Sequence, residues 1–216
     1  MIAFLRISGF FTWLYGADIF FIKQASLEAF FSIAYWTLFF FIPAITMRLF
    51  AEENRAGTIE LLLTRPVSDW QVIFGKFLAT LLLIVISLAL TFPYYITVAN
   101  LGPVDHGAVW SGYLALILIS ATYISIGLFT SSISNNQIVA YLLALFIGIF
   151  FQIIFGILGS STTGVLSEVL TYLSVNTHFE SIARGVLDLR DLLFFLSLMA
   201  IGLIATEANL LKRKYA

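Results

Sequence analysis

The sequence has no cysteine, two histidines and four prolines in 216 residues, and only 11% of it is charged. Without cysteine, a disulfide framework, thiolate metal sites and a thiol nucleophile are excluded, while nothing follows about redox compartment. Neither His106 nor His178 stands in an H-E-x-x-H pattern, so the zincin type of metal site is absent. There is no G-x-S-x-G elbow; Asp105 beside His106 reads as a loop-tip turn, and Ser87 and Ser125 have no base to activate them. Carboxylate pairs are missing from the centres of the apolar runs, which argues against proton-coupled transport. Gly75 and Lys76 form the one Gly-Lys step, and no glycine-rich loop precedes them, so a P-loop phosphate cradle cannot be built. With 11 basic residues against 12 acidic ones, the chain carries no electrostatic footprint for nucleic acid.

What the chain does have is apolar length. Hydrophobic residues make up 61% of it and its mean hydropathy is +1.02. Soluble domains carry about 25% charged residues, so the class is an all-α, polytopic membrane helix bundle, with no room for a separate soluble domain. A span needs roughly 20 apolar residues. Charge-free runs occupy Ala29 to Met47 and Phe77 to Val104, and a third runs from Gly107 to Ser167. The third is too long for one crossing and is divided by Ser131, Ser132, Ser134, Asn135, Asn136 and Gln137. The expected spans are residues 29–48, 69–100, 109–130, 138–158 and 189–211, the last with Asp191 at its start and Glu207 near its end. Residues 1–22, interrupted by Arg6 and Asp18, read as the second half of a sixth span whose beginning is missing or abbreviated. A cleaved signal peptide is the competing reading, but no small-residue cleavage site follows.

Orientation follows from the basic residues. Placing the segment Arg48 to Lys76 in the cytoplasm puts Arg48, Arg55, Arg65, Lys76, Lys212, Arg213 and Lys214 inside, and leaves Lys23, Arg184 and Arg190 outside. The C-terminus is then cytoplasmic. Trp36, Trp70 and Trp110 are candidate interfacial anchors.

The segment Arg48 to Lys76 concentrates charge between two apolar runs: Arg48, Glu52, Glu53, Arg55, Glu60, Arg65, Asp69 and Lys76. Gly57 is placed to close one helix and Thr58 to cap a short new one, Ile59 to Thr64, which Pro66 ends. Ser68 and Gln71 form a capping box with Val67 and Val72 as a staple, so the next span starts near Asp69. Ile59, Leu62 and Leu63 share one face, leaving Glu60 and Arg65 to the cytosol. A solvated loop with one interfacial turn accounts for the same pattern.

At the other polar concentration, residues 163–187, Leu166, Val169, Leu170 and Leu173 share helical spacing, as do Phe179, Ile182, Ala183 and Val186. Two short amphipathic helices lying in the outer leaflet fit this pattern. Thr177 with Glu180 makes a capping box and Gly185 a stop. Gly112, Ser120 and Gly127 are small enough to permit close helix contact. Pro43 and Pro93 lie within spans, free backbone carbonyls there, and are the candidate hinges.

Three strings carry a resemblance. MRLFAEENRAGTIELLLTRPVSDWQVIFGKF, Met47 to Phe77, resembles the first cytoplasmic loop of ABC-2-type transporter permeases, especially the gliding-motility-associated branch and its copper-site maturation relatives. HFESIARGVLDLRDLLFFLSLMA, His178 to Ala200, resembles the approach to the last span in the same branch, and SNNQIVAY, Ser134 to Tyr141, the turn between the fourth and fifth spans. The resemblance covers nearly the whole chain in order. It departs at the start, where such permeases have a basic amphipathic helix and a complete first span.

The resemblance implies a six-span permease of the type V exporter kind in a bacterial inner membrane. It would be paired with a second copy or paralogue and with two ABC ATPase subunits, which bind the ATP and Mg; no cofactor is implied for this chain. The charged segment, residues 49–68, becomes the coupling element, with Glu52, Glu53, Arg55, Gly57, Thr58, Glu60, Leu61, Leu62, Arg65 and Pro66 contacting the ATPase. His178, Phe179, Glu180, Arg184 and Gly185 fall on an external lid. No catalytic residue is implied. A structural membrane subunit that anchors a larger envelope machine is the alternative, and the cargo is undetermined beyond compatibility with lipid-linked or polymeric molecules.

Overall fold

The computed structural model describes residues 1–15, 26–58 and 68–214, and among them every regular element is a helix. Five helical units are long and apolar enough to cross a membrane: Glu28–Ala56, Asp69–Leu101, His106–Ile133, Gln137–Ser161 and Leu189–Lys212. A shorter apolar helix, Ile2–Trp13, precedes them. In detail the elements are α1 (Ile2–Phe10) with a π-helical extension (Phe11–Tyr15), α2 (Glu28–Thr46), α3 (Ala51–Ala56), α4 (Asp69–Ala89), α5 (Phe92–Leu101) and α6 (His106–Ile133). They continue with α7 (Gln137–Ile149), a π-helical turn (Phe150–Ile154), α8 (Phe155–Ser161), α9 (Val165–Leu173), α10 (Val175–Ala183) and α11 (Leu189–Lys214).

Helix α6 is the axis of the bundle. It packs against α2, α4, α7, α10 and α11, and 78% of its most apolar stretch is buried, against 22% to 50% for the other four spans. Its sequence explains this. A helix apolar all round is a core helix, and the hydroxyls it carries bond back to its own carbonyls: Ser120 Oγ to Leu116 at 2.6 Å, Ser125 Oγ to Thr122 at 2.7 Å, Thr130 Oγ1 to Gly127 at 3.1 Å. Those side chains are thereby satisfied and present a small profile to neighbours. Close approach needs the glycines too. A Cβ at Gly112 would fall 2.6 Å from the Phe31 ring, and one at Gly127 would overlap Thr46. Lipid is as apolar as leucine, so such interhelical packing and hydrogen bonds, not withdrawal from water, hold spans together.

An aromatic layer joins α2, α5 and α6. Phe31 and Tyr113 meet edge to face at 5.4 Å, and Phe30 meets Tyr94 at 5.8 Å. Each such pair is worth about 0.5–1.5 kcal/mol beyond area burial.

The expected span at residues 69–100 is two helices. The capping box is present, with Gln71 N donating to Ser68 Oγ at 3.3 Å and Ser68 N to Gln71 Oε1 at 2.9 Å, and α4 begins at Asp69. It ends at Ala89, and α5 restarts at Phe92. Pro93 therefore sits in the first turn of α5, not inside a continuous helix, where its missing N–H is one no helix would use. Thr91 Oγ1 closes the gap by donating to the Leu88 carbonyl at 2.6 Å. Pro43 is inside α2 and buried.

Between α7 and α8 the π-helical turn carries Gln152, 4% exposed, whose Oε1 accepts the Tyr123 hydroxyl. Helix α9 buries no residue. Helix α10 buries Val175, His178, Phe179 and Ile182, so this amphipathic face is turned into the bundle and not into an outer leaflet. The Tyr35 and Phe179 rings lie 4.3 Å apart. Val186, expected on the same face, is exposed in the turn beyond the helix.

Candidate functional site

Helix α3 is short because its sequence ends it quickly. Gly57 takes φ 69°, the left-handed conformation that closes a helix. Thr58, expected to open the following helix, instead finishes this one: its N–H donates to the Glu53 carbonyl at 3.1 Å and its hydroxyl to the same oxygen at 3.4 Å. The element Ile59 to Thr64, with Glu60, Leu61, Leu62, Arg65 and Pro66, lies outside the described residues.

A polar seam fixes α3 to the end of α6. Ser131 Oγ donates to the Met47 carbonyl at 2.9 Å and accepts the amides of Phe50 at 2.9 Å and Ala51 at 3.0 Å. These are the donors that a helix start leaves without intrahelical partners. Asn54 Nδ2 reaches the carbonyls of Ser132 at 3.1 Å and Ser134 at 3.0 Å. From the far side, Asn209 Nδ2 on α11 donates to the same Ser132 carbonyl at 2.9 Å. Lys76 of α4 closes the arrangement: its Nζ donates to the Leu49 carbonyl, pairs with Glu53 Oε1 at 2.5 Å, and stands 4.5 Å from the Phe50 ring centroid. Four elements, α3, α4, α6 and α11, therefore meet within one polar knot.

Of the sequence-predicted coupling residues described, Glu52, Arg55, Gly57 and Thr58 are exposed on α3 and its end. Glu53 is partly covered and committed to Lys76. Ser131, Ser132, Asn54, Asn209 and Lys76 were not legible as a site. The run Ser131 to Gln137 reads as a turn between spans, and nothing in sequence spacing joins it to Asn54 or Asn209.

The opposite end of α6 carries the second polar group. A Cβ on Gly185 would lie 3.7 Å from Ala108 at the start of α6. Asp105 caps α6, accepting from Gly107 N at 2.9 Å and Ala108 N at 3.2 Å, which makes it the turn residue that its position indicates. The expected Thr177–Glu180 capping box is not formed. Helix α10 starts earlier, at Val175 after Ser174, so Thr177 is already helical, and Glu180 accepts from Asn176 Nδ2 at 2.7 Å instead. Gly185 does end the turn, with φ 94°.

The lid candidates divide by exposure. Glu180, Arg184 and Gly185 are exposed, whereas His178 and Phe179 are buried beneath them. His178 Nε2 donates to the Tyr172 carbonyl at 2.7 Å, and Nδ1 shares a hydrogen bond with Asp191 Oδ1 at 2.6 Å. The His178 ring also stacks on Phe194 at 4.0 Å. This pair ties α10 to α11, and sequence spacing alone did not reveal it.

A family model described as ABC-2 family transporter protein matches residues 7–206. No curated protein matches the chain.

Proposed function

The chain belongs to the ABC-2 transporter family, and from that premise we propose that it couples ATP hydrolysis on a separate subunit to export, through the segment Arg48 to Lys76. Membership makes it an integral membrane permease component of an ABC transporter, a transport subunit whose partner is an ABC ATPase. The further reading is that residues 1–216 form one transmembrane domain, joined by a second copy or a paralogue. The ATPase side holds ATP and Mg. We assign the membrane as a bacterial inner membrane and the branch as the gliding-motility one, on the three strings quoted above.

The observation that supports coupling most is the polar knot. A coupling element must move as a unit and carry the spans with it. Ser131 binds the first turn of α3 to the core helix through three hydrogen bonds, and Lys76 binds α3 to α4. A push received by Glu52, Arg55, Glu60 and Arg65 then reaches α6 and α4 together. Lys212 lies on α11 beyond Asn209, at the same end as α3, which supports a cytoplasmic C-terminus. The α4–α5 break before Pro93 is the better placed of the two hinge candidates, because there the helix is already interrupted.

The test is co-purification with the cognate ATPase. Replacing Glu60 and Arg65 together, or deleting Ile59 to Thr64, is expected to abolish association and stimulated ATP turnover. Association and turnover that survive both changes would reject the coupling assignment. Failure of lipid-linked and polymeric cargoes to stimulate turnover in reconstituted vesicles would favour a structural anchoring subunit.

A further inference from the structure

A cavity of about 550 Å³ opens at the α10 end of the bundle, between α9, α10 and the start of α11. Its lining includes Glu168 and Tyr172 from α9, Arg184 from the end of α10, and Asp188, Arg190 and Asp191 leading into α11. Two acids and two bases in this set stand outside any ion pair, although Arg184 Nε donates to the Glu180 carbonyl at 3.1 Å and Asp188 Oδ1 accepts the Arg190 amide at 3.0 Å. Among the described residues the acid–base contacts within 4 Å are the Lys76–Glu53 ion pair and the His178–Asp191 hydrogen bond, so Glu168, Asp188, Arg184 and Arg190 have no charged partner. At the base, Asp191 is only 7% exposed, and its Oδ2 has no hydrogen-bond partner.

We propose that this cavity binds a zwitterionic phosphate-amine group, and that its source is the headgroup of an aminophospholipid. A lining that offers carboxylates and guanidinium groups outside any ion pair favours neither a simple anion nor a simple cation. A molecule carrying phosphate and ammonium satisfies both sets. The guanidinium forks of Arg184 and Arg190 suit the phosphate oxygens. The ammonium is served by Glu168 and Asp188, with the Tyr172 face as a cation–π surface.

Lipid is the source that the surroundings favour. Beside the cavity, α9 exposes Val165 at 76%, Leu166 at 58% and Val169 at 50%. On the other flank Leu187, Leu189 and Leu193 are exposed at 57%, 67% and 55%. A headgroup seated between the arginines has acyl-chain surface on both sides of it. The inference rests on the chain being a membrane protein and is independent of the coupling reading.

The experiment uses the full chain, delipidated in detergent and then offered phosphatidylethanolamine, phosphatidylcholine or phosphatidylglycerol, with retained lipid read by native mass spectrometry. Retention of phosphatidylethanolamine is expected to exceed that of phosphatidylglycerol at least tenfold, with phosphatidylcholine between them because it keeps the charge and loses the N–H donors. The double variant Arg184→Gln/Arg190→Gln, and separately Glu168→Gln, are expected to remove that preference while the protein stays monodisperse. Equal retention of all three lipids, or variants that retain phosphatidylethanolamine as well as the parent, would overturn the site. Soluble phosphoethanolamine is the second arm: competition at concentrations matching the lipid would overturn the lipid source. A variant that aggregates is replaced by Arg190→Gln alone, with the same readout.

Discussion

Ser131 and Phe50, 81 positions apart, are joined by one buried hydrogen bond from the Phe50 amide to the Ser131 hydroxyl, 2.9 Å long. The same hydroxyl serves Ala51 and Met47, so a single oxygen atom holds the place where α3 leaves α2.

Ser131→Ala should therefore do more than delete a hydroxyl. It strips two amide donors of their acceptor in a buried place, a loss of about 2 kcal/mol. Thermal unfolding in detergent will show a lower midpoint. In the assembled transporter, basal ATP turnover is expected to persist while stimulation by cargo falls, since the ATPase contacts themselves are untouched.

Asn54 and Asn209 both donate to the Ser132 carbonyl, so their losses will not add. Asn54→Leu and Asn209→Leu are each expected to cost about 1 kcal/mol. A double-mutant cycle on unfolding free energies should give a coupling of roughly 0.5 kcal/mol or more; strict additivity would mean that the shared carbonyl matters to neither.

Two glycines should respond in opposite senses. At Gly127 the space is filled by Thr46, and Gly127→Val should cost about 1–3 kcal/mol by overpacking. Gly75, inside α4, has nothing within 4 Å of an added Cβ. There Gly75→Ala should raise stability by up to about 1 kcal/mol through helix propensity. Paired melting curves check both.

The Tyr123–Gln152 contact predicts a rescue. Tyr123→Phe leaves the Gln152 amide, already without a partner for Nε2, with none at all, at a cost of about 1–2 kcal/mol. Adding Gln152→Met should return most of that stability, because removing both partners leaves no polar group stranded. A double variant less stable than either single one would contradict the reading.

The spans were legible in the sequence wherever apolar length or a local cap defines them. Charge-free runs mark the long helices, and Gly57 and the Ser68–Gln71 pair sit where their chemistry puts them. The break at Leu90–Thr91 lies inside an apolar run, where composition carries no boundary signal. The same limit hid the cluster around Ser131: polar residues from distant spans come together only after the helices pack, and hydropathy averages over them. For α10 the periodicity was right and its direction was not, since a 3.6-residue pattern tells that a face is apolar but not whether lipid or protein covers it.

The extensive burial of α6 has a consequence for biogenesis. With a mean hydropathy of 1.9, against 2.5 for Asp69–Leu101 and 2.6 for Gln137–Ser161, α6 is less apolar than the spans on either side of it in sequence, and it is synthesised before α7 and α11. When it leaves the ribosome α2 and α4 are already made, but the part of its surface that α11 covers in the finished bundle still lacks that partner. The Thr122–Phe195 contact at 3.4 Å, the Gly202 approach to Ser125 and the Asn209 bond to Ser132 all come from α11. Insertion of α11 is therefore expected to complete the cover of α6, and a chain truncated before Leu189 should leave Thr122, Ser125 and Ser132 without the neighbours that α11 supplies.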